Sequence, residues 1–377
     1  MRKIKFILSV FLLFSSIVAQ TSTGNIYGTI VDTERNPLPR VTVTLTGLAF
    51  QGLVQDIPVG KGMVVADFNG TKLELYTYKP SGYNGERMIM VFHGSLHNAD
   101  EYRDHSVEMG DRFKALIIAP KFDAERFPSI KYQRGGITTA DGKVAPPEEW
   151  TYAFVPKIFQ AVKEKEGKPG LKYWIIGHSA GGQFVSRMAA FQDTGAERLV
   201  AANPSSWLFP TRALLYTYGF GGLPESLSND EMIRKFLAQP LTIYLGTADN
   251  TPDKDTDMSD GALVEGSARY QRGKAFFQFA KTIAERKKWD FNWHLVEAEG
   301  VNHDHGKMFN HPNCEKALFG PFGQAPSPSL TASRRERGTI LAMWGKYLKN
   351  FLPSGRKRES VQQAPANSFL VSKRVSS

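Results

Sequence analysis

The chain has 377 residues, of which 41% are hydrophobic and 22% are charged, and its formal net charge is +10. This composition is typical of a globular protein with one large or two ordinary domains, and it excludes a disordered or collagen-like chain. Although the charge is positive, the sequence contains no nucleic-acid recognition motif, so we predict no nucleic-acid partner.

Residues 1–19 have the pattern of an export signal. Arg2, Lys3 and Lys5 mark the start of a mostly apolar stretch, Ile4–Phe14, and a small residue suited to cleavage follows it. The stretch is short for a membrane span, so we predict a secreted protein, extracellular or periplasmic, without a stable membrane anchor. The alternative is an uncleaved N-terminal anchor. Removing these three basic residues and no acidic one would lower the net charge from +10 to +7.

Residues 20–58 are predicted to form a small accessory β hairpin and a linker. Polar and apolar residues alternate in Gly24–Asp32 and in Val41–Leu45, and turn-forming residues separate the two segments. The piece resembles the opening of a carboxypeptidase-regulatory-like β-sandwich, but it is too short for that whole domain. Because an isolated hairpin is marginal in water, we assign this region no chemistry of its own.

Strand-like and helix-like segments alternate through the rest of the chain, which predicts an α/β fold with a mostly parallel sheet flanked by helices. Continuous apolar runs at Arg87–Phe92 and Ala115–Pro120 indicate strands that are buried on both faces. The first of these runs ends in His93-Gly94-Ser95. Further strands are predicted at Arg198–Ala202, Leu241–Gly246 and Trp293–Val296, and helices at Phe154–Lys165, Ala275–Arg286 and Gly338–Phe351.

The long segment 122–150 is rich in glycine, proline and aromatic residues, as expected of a lid or pocket wall. Aromatic residues in and just after it are Phe127, Tyr132, Trp150 and Tyr152. Trp207 follows a predicted strand, where its ring would stack on an acyl or aryl group of a ligand. The alternative for each of these aromatic side chains is packing beneath the loops.

The run Lys172–Gly182 is the most informative part of the chain. A β-prone apolar stretch ends at Gly177-His178-Ser179-Ala180-Gly181, and a helix is predicted over Gln183–Phe191. A serine between two glycines at a strand-to-helix turn is typical of a nucleophile elbow, which lifts the hydroxyl clear of the sheet. The alternative is a tight turn whose serine caps the helix.

A serine hydroxyl is a poor nucleophile unless a base takes its proton and a third group orients that base. Asp249 follows one predicted strand, and His303 follows a later one. The order serine, acid, histidine is the one found on the doubly wound hydrolase scaffold. We therefore predict that Ser179 is the nucleophile, Asp249 the orienting acid and His303 the general base.

Other interpretations concern the same two loops. His305 lies two residues after His303 and is a rival for the role of base, and Asp249 would otherwise be a solvated charge in an acidic loop. Aspartates further along that loop are spaced like calcium ligands, but Met258 stands where an EF-hand needs glycine. His303 and His305 are spaced like a zinc pair without evident further ligands. We expect no metal and no cofactor.

Four motifs in this order make the chain resemble an α/β-hydrolase and, within that superfamily, the secreted esterases related to polyhydroxybutyrate depolymerases and feruloyl esterases. The motifs are Phe92–Gly94, Gly177–Gly182, Gly246–Asp249 and Val301–Asp304. The resemblance implies the same three catalytic residues, with the backbone N–H groups of Ser95 and Ala180 as the oxyanion hole. The chain departs from the disulfide-bearing members because Cys314 is its only cysteine.

We therefore predict a serine carboxylic-ester hydrolase that works through an acyl-enzyme, with its catalytic domain over residues 59–352 and a disordered basic tail over 353–377. Its substrate would be an ester of a small molecule, a polyester or an esterified polysaccharide, contacted by His93, Tyr132 and Trp207. For His93 the alternative is a structural hydrogen bond. The alternative functions are a peptidase or thioesterase with the same catalytic residues, or a non-catalytic surface-binding protein on the same fold.

Overall fold

The computed structural model describes residues 51–321, and within them nine strands form one sheet. The strands are β1 (Gln51–Leu53), β2 (Gly60–Phe68), β3 (Thr71–Lys79), β4 (Arg87–Phe92), β5 (Leu116–Pro120), β6 (Lys172–His178), β7 (Arg198–Ala202), β8 (Leu241–Gly246) and β9 (His294–Ala298). Their order in the sheet is β1-β2-β3-β5-β4-β6-β7-β8-β9. In this order, the pairs β1–β2, β2–β3 and β3–β5 are antiparallel. All the remaining pairs, from β5–β4 to β8–β9, are parallel.

The parallel strands are apolar along their length because both faces of this part of the sheet are covered. In β4, Met88, Met90 and Phe92 belong to the larger hydrophobic core, whereas Ile89 and Val91 belong to a second core on the opposite face. The parallel pairing brings the carboxyl ends of β4, β6, β7, β8 and β9 to one edge. In open α/β sheets, ligands bind beyond this edge.

Helices cover both faces of the sheet. They are α1 (Ala99–Asp104), α2 (Val107–Phe113), α3 (Phe154–Lys165), α4 (Ala180–Phe191), α5 (Glu225–Ser228), α6 (Asp230–Leu237), α7 (Asp260–Glu265), α8 (Arg269–Lys287), α9 (His305–Asn310) and α10 (Asn313–Phe319). Phe184 of α4 and Phe276 of α8 lie in the larger core. Tyr102 of α1 and Met109 of α2 lie in the second core, together with Met308 of α9.

The sequence-based prediction of an α/β fold with a mostly parallel sheet is confirmed, although the first strands make the sheet mixed. The predicted strands at 87–92, 198–202 and 241–246 match β4, β7 and β8, and the predicted helix at 154–165 matches α3. The sheet begins upstream of residue 59, the predicted start of the catalytic domain, because β1 pairs with β2 and Leu53 is buried.

Several predictions concern residues outside the described range. They are the export signal at 1–19, most of the hairpin and linker at 20–58, the helix at 338–351 and the tail at 353–377. Between residues 51 and 321, no helix combines the length and the hydrophobicity that crossing a membrane requires.

Candidate active site

Ser179 occupies the turn between β6 and α4, at the carboxyl edge of the sheet. Its backbone angles, φ 58° and ψ −119°, are strained for a residue with a side chain. The Ser179 N–H donates to the carbonyl of Ala202 (2.9 Å), and its own carbonyl accepts from the N–H of Gln183 (3.0 Å). The side chain is partly exposed and makes no capping hydrogen bond to α4. The serine hydroxyl is therefore not used to cap the helix that follows it.

Two glycines allow this turn to form because the backbone of α4 approaches the sheet closely. A Cβ atom on Gly181 would lie 2.2 Å from the carbonyl oxygen of Phe92, and one on Gly177 would lie 2.3 Å from the carbonyl oxygen of Gly181. Neither contact is sterically possible without a backbone shift. The glycines of the Gly-x-Ser-x-Gly motif thus have a direct structural cause.

Asp249 and His303 are in direct contact. Nδ1 of His303 donates to Oδ2 of Asp249 at 2.7 Å, and Asp249 is only 4% exposed. Because a carboxylate can only accept, the hydrogen of the imidazole is on Nδ1, which leaves the Nε2 lone pair of the neutral ring free to accept a proton. The pair has the geometry of an oriented general base.

The loop with His303 lies against the serine turn. The ring of His178, which precedes Ser179, is centred 4.5 Å from the ring of His303. The loop after β8 is tied to the same region, since the Ala248 N–H donates to the carbonyl of Val301 (3.0 Å). The structure therefore brings Ser179, Asp249 and His303 to one edge of the sheet, where the three loops meet.

Two segments with predicted oxyanion donors, Ser95 and Ala180, border the serine turn. A Cβ atom on Gly94 would lie 3.9 Å from Cβ of Ser179, so the loop after β4 abuts the serine. Ala180 is the first residue of α4, where backbone N–H groups lack intrahelical partners. Among residues 51–321, no acceptor bonds the N–H of Ser95 or of Ala180. Neither N–H group is occupied by an acceptor from this part of the chain, as the predicted role of oxyanion donor requires.

Two solved structures are similar to this chain along almost their whole length. Poly(aspartic acid) hydrolase-1 from Sphingomonas sp. KT-1 is 31% identical, with a TM-score of 0.63, and the match covers 67% of this chain and 96% of that one. The chain belongs to the α/β-hydrolase family. Poly(3-hydroxybutyrate) depolymerase LpqC from Bordetella parapertussis is 28% identical, with a TM-score of 0.65, over 76% of this chain and 95% of that one.

No family model and no curated protein matches the chain, so the solved structures carry the comparison. They confirm the resemblance to depolymerase-like serine esterases that the four motifs predicted. This α/β-hydrolase is accordingly an enzyme of the serine hydrolase class, and its relatives support ester hydrolysis in general.

His93 and Tyr132, predicted to contact substrate, are both fully buried in this α/β-hydrolase. Nδ1 of His93 donates to the carbonyl of Gly94 (2.9 Å), and Nε2 accepts from the N–H of Phe122 (3.1 Å). The Tyr132 hydroxyl donates to the His93 carbonyl (2.8 Å), and the two rings stack. His93 therefore makes structural hydrogen bonds, which was the alternative to substrate contact. These side chains join the loops after β4 and β5, and neither reaches the surface.

Trp207, also predicted to contact substrate, is fully buried as well. Its backbone N–H donates to both carboxylate oxygens of Glu265 (3.1 and 3.0 Å), and its ring stacks on Phe276 at 4.6 Å. The long loops of this hydrolase need an apolar core beneath them, and the aromatic residues supply it. Phe127, Trp150 and Tyr152 are buried for the same reason.

His305, the rival base, lies away from Asp249. Its Nε2 is 2.7 Å from Nδ1 of His105, and its ring stacks on Tyr102 with the centroids 3.9 Å apart. His305 begins α9, whereas His303 lies in the loop before it. Of His303 and His305, only His303 is therefore paired with the carboxylate of Asp249.

Arg269 is a site residue that the sequence did not reveal. It begins α8, is fully buried, and donates to Oδ1 of Asp249 at 3.2 Å. The same guanidinium donates to both oxygens of Asp253 (2.8 and 2.7 Å) and holds the pKa of that carboxyl well below its usual range. No spacing rule connects an arginine to an acid twenty residues earlier, so only the folded structure shows the contact.

Asn203 is a second residue that the motifs did not identify. It follows β7, is fully buried, and has a positive φ of 44°. Its Oδ1 accepts from the Gly246 N–H (2.8 Å), and its Nδ2 donates to the carbonyl of Asn302 (3.5 Å). Asn203 thus ties together the loops that carry Asp249 and His303. A signal was available, because asparagine is among the residues that most readily adopt positive φ.

Proposed function

We propose that this protein is a secreted serine esterase that hydrolyses carboxylic esters with Ser179, His303 and Asp249. The observation that carries the proposal is the 2.7 Å contact between His303 Nδ1 and Asp249 Oδ2 next to the strained turn that presents Ser179. Membership of a serine hydrolase family supports the same assignment of roles.

In the proposed mechanism, Nε2 of His303 takes the hydroxyl proton of Ser179 while Oγ attacks the ester carbonyl. The N–H groups of Ser95 and Ala180 bind the oxyanion of the tetrahedral intermediate. The imidazolium then returns the proton to the departing alcohol, and an acyl-enzyme remains. Water, deprotonated by His303, attacks the acyl-enzyme and releases the acid and free Ser179.

The substrate class is proposed from the chemistry of the site and from the two relatives. A poly(3-hydroxybutyrate) depolymerase acts on a polyester, which supports an ester of a small molecule or of a polymer for this chain. A second candidate is amide hydrolysis with the same residues, because the other relative is named for poly(aspartic acid), a polyamide. Secretion is proposed from the export pattern of residues 1–19 alone.

The first experiment tests the nucleophile. A fluorophosphonate should label Ser179 in the purified protein, and Ser179→Ala should lose the label together with about a million-fold of its turnover on a short-chain nitrophenyl ester. Ser129→Ala is the matched control because it removes an exposed serine from a loop and should keep both label and turnover. Full activity in Ser179→Ala, or an unlabelled wild type, would reject the proposal.

A second experiment separates the candidate substrates. An ester, a thioester and an amide with the same acyl group should be compared at equal concentration, followed by poly(3-hydroxybutyrate), feruloyl sugars and poly(aspartic acid). We expect kcat/KM to be highest for the ester. A higher value for the amide would assign the protein to the second candidate function.

A further inference from the structure

A group of potential metal ligands lies outside the proposed catalytic residues. Glu101 and His105 come from α1 and its C-cap, and His305 comes from the first turn of α9. Their ligand atoms all lie within 4.8 Å of one another, and within residues 51–321 this is the one group of three such side chains. We refer to it as the α1–α9 cluster.

The atom separations in the α1–α9 cluster lie on either side of the value for a tetrahedral site. Nδ1 of His105 and Nε2 of His305 are 2.7 Å apart, and Nε2 of His305 is 3.8 Å from Oε1 of Glu101. Ligand atoms bonded to a tetrahedral zinc ion lie about 3.3 Å from each other, since each bond is about 2.0–2.1 Å long. A modest side-chain rotation would therefore open the histidine pair and admit an ion.

Contacts with neighbouring residues position both histidines of the α1–α9 cluster. Stacking on Tyr102 with an interplanar angle of 2° fixes the ring of His305. The His105 N–H donates to the carbonyl of Glu101 (2.9 Å), and the His105 carbonyl accepts from Nδ2 of Asn310 (3.2 Å). Glu101 and His105 are four residues apart and therefore share one face of the helix. The backbone of His105 and the ring of His305 are therefore already positioned, and only the side chains of Glu101 and His105 would have to adjust when an ion binds.

The composition of the cluster indicates which ion it would take. Two imidazoles and one carboxylate are a borderline ligand set, which favours Zn²⁺ and similar transition-metal ions over Ca²⁺ or Mg²⁺. Three protein ligands leave a fourth position for water. We propose that Glu101, His105 and His305 bind a divalent transition-metal ion, with zinc as its representative, and that the ion joins α1 to the start of α9.

The test uses untagged full-length protein that has been freed of metal with a chelator. Calorimetric titration with zinc should give a single ion per chain, and zinc should raise the melting temperature. His105→Gln and Glu101→Gln should each weaken binding at least roughly tenfold, a loss seen even for residues that only support metal ligands. Glu108→Gln is the charge-matched control, because it removes an exposed carboxylate from the neighbouring α2.

Both ligand substitutions change exposed side chains, so the variants should fold, and their melting temperatures in chelator should match the wild type. No saturable zinc binding by the wild type would overturn the proposal, as would unchanged affinity in both ligand variants. Ser179→Ala protein should bind zinc as the wild type does. The metal site and the catalytic mechanism can therefore fail independently.

Discussion

At the scale of single residues, the two oxygens of Asp249 have different partners. Oδ2 accepts from His303, and Oδ1 accepts from Arg269, whose guanidinium is anchored on Asp253. A buried arginine without a paired carboxylate would be strongly destabilising. Arg269 therefore stays paired with Asp253, and this pairing holds its side chain in one position. Its effect on Asp249 is to fix the plane of the carboxylate against which the imidazole is aligned.

Asp253→Asn should lower kcat about tenfold and leave KM nearly unchanged. The substitution removes the anion that positions Arg269, and a lost charge-assisted hydrogen bond is worth about 1.5 kcal/mol. Steady-state kinetics on a nitrophenyl ester measures the effect. The control is Asp255→Asn, an exposed neighbour in the same loop, which should keep wild-type kcat. Equal activity of the two variants would show that Arg269 does not need Asp253.

The sequence selects Ser179, Asp249 and His303 as candidates because each lies within five residues of the end of a recognisable strand. Chain order and local composition are sufficient for that inference. They do not report burial, so they predict substrate contact for His93 and Trp207 although both residues are buried. An aromatic side chain in a long loop has the same local sequence whether it packs beneath the loop or faces a ligand.

At the scale of elements, the serine turn depends on three backbones in close contact. β4, β6 and α4 meet at Gly177 and Gly181, where the carbonyl of Phe92 leaves no room for a side chain. The parallel strands were predictable because a strand buried on both faces is continuously apolar. The short helices α1, α2, α9 and α10 were not predicted, since six or seven residues do not establish a helical period.

Gly181→Ala should destabilise the fold by roughly 1–3 kcal/mol, the usual cost of overpacking, and abolish most of the activity. The added methyl group would contact the Phe92 carbonyl at 2.2 Å, so the serine turn must move. Urea unfolding and active-site titration measure the two effects. Gly170→Ala is the control because a Cβ atom there meets nothing within 4 Å. Wild-type stability and activity in Gly181→Ala would contradict the close approach.

At the scale of the whole molecule, the core around the site contains neutral histidines. Burial lowers the pKa of His93 to about 3, and the ring faces His97, Tyr132 and the charge of Lys121. Burial also lowers the pKa of His178 well below its usual value, and the neighbouring His303 and His305 add to that shift. Both rings are unprotonated in the folded protein at neutral pH.

Stability should therefore fall as the pH is lowered. In the unfolded chain a histidine has a pKa of about 6.5, so between that value and about 3 the unfolded state binds a proton that His93 in the folded state does not. Each such histidine costs about 1.4 kcal/mol per pH unit in this window. Urea unfolding at about pH 7 and about pH 5 measures the difference.

The contribution of His93 can be isolated by substitution. His93→Gln should reduce the loss of stability between these two pH values by about 2 kcal/mol, because its side chain takes up no proton on unfolding. His178→Gln provides a second variant if the first does not fold. An unchanged pH dependence in both variants would show that neither ring gains a proton on unfolding in this window.

His303 and Asp249, the proposed base and acid, are 54 residues apart in the chain. Ser179 lies still earlier, directly after β6. Contacts over such separations form only after the intervening segments have closed into loops, which makes them slow steps in folding. In the proposed mechanism, catalysis therefore requires that β9, the last strand within residues 51–321, has docked onto the sheet. If the proposed mechanism holds, the return of turnover during refolding would report that β9 has docked, and a chain that still lacks β9 would have no positioned general base.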